Sequence, residues 1–122
     1  MIKQQRYASI FLLILGSAIW GSTLWVRMAY PDLLVVFPIY FGSAPNLGTS
    51  MMMAPALVFL STYLQKKAAS LKWIGSCAIF TSFCQILSES YYLYSHQVAF
   101  QWIDILYGIV GLVLVVLVYY FL

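Results

Sequence analysis

From Tyr7 to Val26 the chain carries no charged side chain, and only small or hydroxyl residues such as Ser9, Gly16, Ser17 and Ser22 interrupt the apolar run. A hydrocarbon core about 30 Å thick takes roughly 20 apolar residues in helix, so this stretch reads as a membrane span. The composition extends that reading to the whole chain. Of 122 residues, 64% are apolar and 7% are charged, whereas a soluble domain carries about 25% charged residues. A surface so poor in charge cannot face water, which excludes a soluble enzyme, a nucleic-acid binder and a disordered tail. Two cysteines supply neither a disulfide framework nor a metal-ligand pattern.

The first run follows Lys3 and Arg6, as a secretory signal would. It is longer than the roughly 7–15 residues of a signal h-region, and no A-x-A-like site closes it. It is therefore expected to be a retained helix over about 7–27. The second span is less obvious, because 51–64 is only 14 residues, about 21 Å of helix. Starting it at Pro45 gives 45–65, with proline at a first helical position where its missing N–H is harmless. Ser43 is then the expected cap, and Pro55 is expected to bend the helix. Further spans are expected at about 71–94 and 102–122. The segment 28–44 holds Pro31 and Pro38 and an apolar core too short to cross. Exposed irregular backbone is not tolerated in the hydrocarbon region, so this segment is expected to lie in the interface or to re-enter against protein. The expected fold is thus an all-α membrane protein, one polytopic domain over 1–122, with four transmembrane helices and an interfacial or re-entrant segment between helices 1 and 2.

Lys and Arg favour cytoplasmic loops. With a cytoplasmic N-terminus, that side holds Lys3, Arg6, Lys66, Lys67 and Lys72, against Arg27 outside, so both termini are expected in the cytoplasm. Aromatic residues mark two interfacial belts, with Tyr7, Tyr63, Trp73, Tyr119 and Tyr120 inside and Trp25, Tyr30, Tyr91, Tyr94 and Trp102 outside.

Ionisable groups within membrane spans are costly, and each suggests a functional site. Glu89, Asp104 and Arg27 all fall near the outer leaflet. Ser82, Gln85, Glu89, Tyr92 and His96 step by three and four and form one stripe on the third helix, while Gln101, Asp104, Gly108 and Gly111 do the same on the fourth. Glycine faces let helices approach closely. The two stripes are expected to face each other and to enclose a cavity open to the outside, lined by Gln85, Glu89, His96, Gln101 and Asp104. Plainer roles stand beside this one. Asp104 suits the first turn of a helix as a cap, Glu89 suits an ion pair with Arg27, and His96 suits a polar interface. Met51, Met52 and Met53 point in different directions around a helix and read as packing. Cys77 and Cys84 lie seven residues apart, about 10.5 Å along a helix and beyond disulfide reach. Lys66, Lys67 and Lys72 set topology first and can touch anionic lipid second. No metal site, nucleophile motif or phosphate loop is present in the sequence.

Gly42-Ser43-Ala44-Pro45-Asn46 opening a helix, a later helix with Gln85 and Glu89, and Gln101-Trp102-Ile103-Asp104-Ile105-Leu106-Tyr107-Gly108 together resemble the VanZ-like small membrane proteins. The resemblance covers about 42–111. It departs from the family's usual pattern in that Gln85 precedes Glu89 and no arginine shortly precedes Asp104. The resemblance implies a bacterial inner-membrane protein with an envelope function, VanZ itself being associated with glycopeptide-antibiotic resistance. Pro45, Asn46, Glu89, Asp104 and Gly108 are the positions it carries over.

The leading functional expectation is a non-catalytic accessory or assembly subunit of a larger membrane complex, with membrane lipids and other membrane subunits as partners, no nucleic acid and no cofactor. A stand-alone VanZ-like envelope protein binding a lipid-linked or amphiphilic ligand at an outer polar cavity is the first alternative. A carboxylate-dependent enzyme or proton-coupled carrier is the second.

Overall fold

Hydroxyl groups within the apolar runs are satisfied largely by the helices that carry them, as a hydrocarbon surround requires. In the computed structural model, which describes residues 2–96 and 102–122, Ser9 donates to the Gln5 carbonyl, Thr23 to Ile19, Thr49 to Pro45, Ser76 to Lys72 and Thr81 to Cys77. The described residues form α1 (Ile2–Ala29), the short α2 (Asp32–Val36), α3 (Pro38–Gln65), α4 (Leu71–His96) and α5 (Trp102–Tyr120). Four of these are long and apolar enough to cross a membrane. The protein is an all-α integral membrane protein, and the spans expected from the sequence are these four.

Helix α1 starts at Ile2 rather than at about 7, and one boundary differs by more. The third element begins at Pro38 rather than Pro45, with Phe37 (φ −127°, ψ 64°) breaking the chain after α2. Pro38 takes the first helical position for the same reason that favoured Pro45, and Pro45 and Pro55 both sit inside the helix. Membrane helices tolerate such prolines because neighbouring helices and hydroxyl side chains compensate the freed backbone groups. Ser43 consequently does not cap; its hydroxyl crosses to another helix. Of the connection between the first two spans, α2 is the only part outside the long helices, apart from a few linking residues.

Helix α3 is the centre of the bundle and touches α1, α2, α4 and α5, whereas among the described residues α4 touches only α3 and α5. Glycine makes the closest crossings possible. A Cβ on Gly16 would lie 2.8 Å from the Gly48 carbonyl oxygen, and one on Gly48 would lie 2.8 Å from that of Gly16. Backbone therefore meets backbone between α1 and α3. On the other side of α3, a Cβ on Gly111 would lie 2.9 Å from the Leu47 carbonyl oxygen. Small residues at helix contacts are the usual means of association in lipid. The core between the crossings is built from Leu12, Met51, Ala54, Val58, Ile74, Leu112 and Val115.

The end of the bundle that holds Lys3, Arg6, Lys66, Lys67 and Lys72 is tied by side chains. Lys66 closes α3 in the left-handed conformation (φ 54°), and the Ser70 hydroxyl accepts from the Trp73 amide at the start of α4. Buried Gln5 of α1 reads the connection between them. Its Nε2 donates to the Ala69 carbonyl at 2.8 Å and its Oε1 accepts from the Ala69 amide at 2.7 Å. Arg6 donates to the hydroxyl and carbonyl of Thr62 and lies 4.2 Å over the Tyr63 ring. Ser9 and Tyr119 share a 2.5 Å hydrogen bond between α1 and α5.

Candidate functional site

The far half of the bundle is organised around one serine. Ser50 of α3 is fully buried, and its hydroxyl donates to the Gly108 carbonyl of α5 at 2.8 Å. The same oxygen accepts from Gln85 Nε2 of α4, also at 2.8 Å. The second N–H of that carboxamide reaches the Asn46 carbonyl at 3.0 Å. Three helices thus meet through one hydroxyl and one carboxamide. Gly108 has no side chain because Gln85 occupies the space: any Cβ there would overlap the Gln85 carboxamide.

Beside this junction, α3 and α4 enclose a cavity of about 210 Å³, lined by Asn46, Thr49 and Met53 on one wall and by Cys84, Gln85, Ser88 and Glu89 on the other. Liquid water takes about 30 Å³ per molecule, so the space suits a small polar group. Glu89 is half-buried there. Neither the Asn46 carboxamide nor the Ser88 hydroxyl makes a hydrogen bond among the described residues. The cavity therefore brings a carboxylate, an amide and a hydroxyl together within the apolar spans.

The sequence-predicted residues are distributed as follows. Gln85 faces Gly108, but Glu89 opens between α3 and α4 rather than between α4 and α5. Asp104 does not line the cavity; in the first turn of α5 it accepts the Ser43 hydroxyl at 2.6 Å and ties α5 to α3. Gly111 likewise faces α3, not α4. Pro45 is an interior residue of α3 and Asn46 takes part in the Gln85 junction. Arg27 lies half-buried in the last turn of α1. Gln101 lies outside the described residues, as do the side chains of Tyr92 and His96.

Ser50 and Thr49 were not singled out from sequence. The available signal was Ser43, Asn46 and Ser50, which step by three and four along α3; starting the helix at Pro45 hides it. Chemically, the arrangement suits recognition. No group of three or more His, Cys, Asp or Glu that could hold a metal ion occurs among the described residues. Among the residues that line the cavity, Glu89 is the one carboxylate beside neutral polar side chains. No protein-family model, curated protein or solved structure matches this chain.

Proposed function

We propose that the protein is a non-catalytic membrane protein that holds the polar head of a lipid-linked or amphiphilic molecule in the Glu89 cavity. The observation that carries this reading is one cavity in which the half-buried Glu89 carboxylate and the Ser88 hydroxyl on the α4 wall stand across from Asn46 on the α3 wall. Interhelical hydrogen bonds at Ser50, Gln85 and Ser43 hold the helices together around it. The concentration of Lys3, Arg6, Lys66, Lys67 and Lys72 at the opposite end supports cytoplasmic termini, which puts the cavity towards the outer leaflet. A VanZ-like protein of a bacterial inner membrane is the version of this reading that the sequence resemblance suggests, and three of its positions, Asn46, Glu89 and Gly108, lie about Gln85.

The test is extraction from native membranes in mild detergent, followed by mass spectrometry of small molecules released from the purified protein. Wild type releases an amphiphile that Glu89→Gln has lost and that Asn46→Ala retains about fivefold more weakly, the value of one hydrogen bond of about 1 kcal/mol. Identical releases from all three refute the reading. The accessory-subunit alternative is favoured by the broad apolar face of α4, where Ile79, Phe80, Phe83 and Leu87 are exposed. A protein present in equal amount in the same extract would put that alternative first.

A further inference from the structure

The Lys-rich end of the bundle carries a second, unlike site that does not depend on the Glu89 cavity. Here α3 and α4 leave an open groove of about 530 Å³, walled by Leu57, Leu60 and Leu64 on one side and Trp73, Cys77 and Phe80 on the other. Its volume is that of a ligand pocket, yet its two serines offer little to a polar ligand. Ser61 donates to its own helix at Val58 and Ser76 to its own at Lys72. The mouth is different. Lys66 follows Gln65 on the groove's rim and Lys72 precedes Trp73, and both, with Lys67, are exposed and form no ion pair among the described residues. The chain's three acidic residues, Asp32, Glu89 and Asp104, all belong to the opposite end.

We propose that this groove seats one anionic phospholipid, with an acyl chain between α3 and α4 and the phosphate held by Lys66, Lys67 and Lys72. An apolar slot beneath three unmatched cations has the polarity of such a lipid along its length. A second copy in the same orientation fits poorly, because it would bring its own lysines to the same level with no acid to meet them. A zwitterionic lipid fills the slot but adds no net charge to answer the cations.

The assay is spin-label electron paramagnetic resonance of the full chain in phosphatidylcholine vesicles at low ionic strength, comparing labelled phosphatidylglycerol with labelled phosphatidylcholine. Wild type holds one motionally restricted phosphatidylglycerol per chain in preference to phosphatidylcholine. A lysine that meets the phosphate of a bound lipid contributes roughly a fivefold gain in its binding. Lys66→Gln/Lys67→Gln/Lys72→Gln therefore loses at least tenfold in selectivity, while Lys3→Gln, exposed at the same end but off the rim, changes it less than twofold. Ser76→Phe, at an exposed position on the groove wall, expels the restricted lipid without altering charge. Leu60→Trp, at a position 54% exposed, does the same from the α3 wall, and circular dichroism confirms that each variant is helical. Equal association of the two lipids with wild type overturns the proposal. So does a Lys3→Gln effect as large as that of Lys66→Gln, or lipid retention unchanged by both groove-filling variants. Cross-linking of Ser76→Cys to a second protein chain in native membranes also overturns it.

Discussion

Gly48→Ala tests the central crossing of the bundle. The added methyl would stand 2.8 Å from the Gly16 carbonyl oxygen and 2.9 Å from the Trp20 amide nitrogen, both backbone atoms, whereas ordinary contact begins at 3.4 Å. Neither neighbour can swing away as a side chain would, so α1 and α3 must part by about 0.6 Å along the whole contact. Overpacking of this kind costs about 1–3 kcal/mol. Alanine returns about 1 kcal/mol through its higher helix propensity, leaving a net loss of roughly 0–2 kcal/mol. Gly21→Ala is the matched control: it lies on α1, a Cβ there meets nothing within 4 Å, and only the propensity gain applies. Gly48→Ala is thus expected to be less stable than Gly21→Ala by about 1–3 kcal/mol, read by steric trapping in bicelles. Gly16→Ala should match Gly48→Ala. The double variant should lose less than the sum, since the first methyl already separates the helices that the second would push apart. Equal stability of Gly48→Ala and Gly21→Ala would refute the backbone-to-backbone crossing.

Three other outcomes follow from the hydrogen bonds. Gln85→Leu leaves the Asn46 carbonyl without its α4 donor and should lower stability by about 0.6–2 kcal/mol, measured in the same assay; Gly108→Ala should do comparable damage by displacing the Gln85 carboxamide. Ser9→Ala and Tyr119→Phe remove opposite partners of one bond, so a double-mutant cycle should return a coupling of about 0.5–2 kcal/mol, and a coupling near zero would mean the two hydroxyls do not meet. Gln5→Ala releases both bonds to Ala69, and hydrogen exchange at the Ala69 amide should accelerate at least tenfold while exchange within α3 is unchanged.

The four spans were legible because lipid imposes a length and an apolar composition that a sequence displays directly. Where α3 begins was not, since Pro38 and Pro45 satisfy the same local rule and the choice between them depends on what α5 offers to Ser43. The stripe on α4 was legible by its spacing, and it does place Gln85 against Gly108. What spacing cannot reveal is which neighbour a stripe faces. Glu89 stands only four residues after Gln85, roughly 40° further round the helix, and that rotation is enough to turn it from α5 to α3. The matching stripes set Asp104 and Gly111 against α4, yet both answer to α3. Like spacing on two helices does not make them partners, and α3 lies next to both. The ties made by Gln5 and Ser9 were not legible, since an uncharged residue near a helix start carries no such signal until its partner, here 64 or 110 positions away, is known.

The place of α3 at the centre of the bundle has a consequence for synthesis. Chains emerge N-terminus first, so α3 enters the bilayer with α1 already available to pack at Gly16 and Gly48. Its partners α4 and α5 do not yet exist. The acceptor of Ser50 lies 58 positions downstream, that of Ser43 lies 61, and the Gln85 that bonds Ser50 lies 35. During that interval the polar edge of α3 stands open to lipid or to water drawn in with it, so the half-made protein is most vulnerable along the edge that later joins three helices. Only when α5 arrives does the last donor find its oxygen.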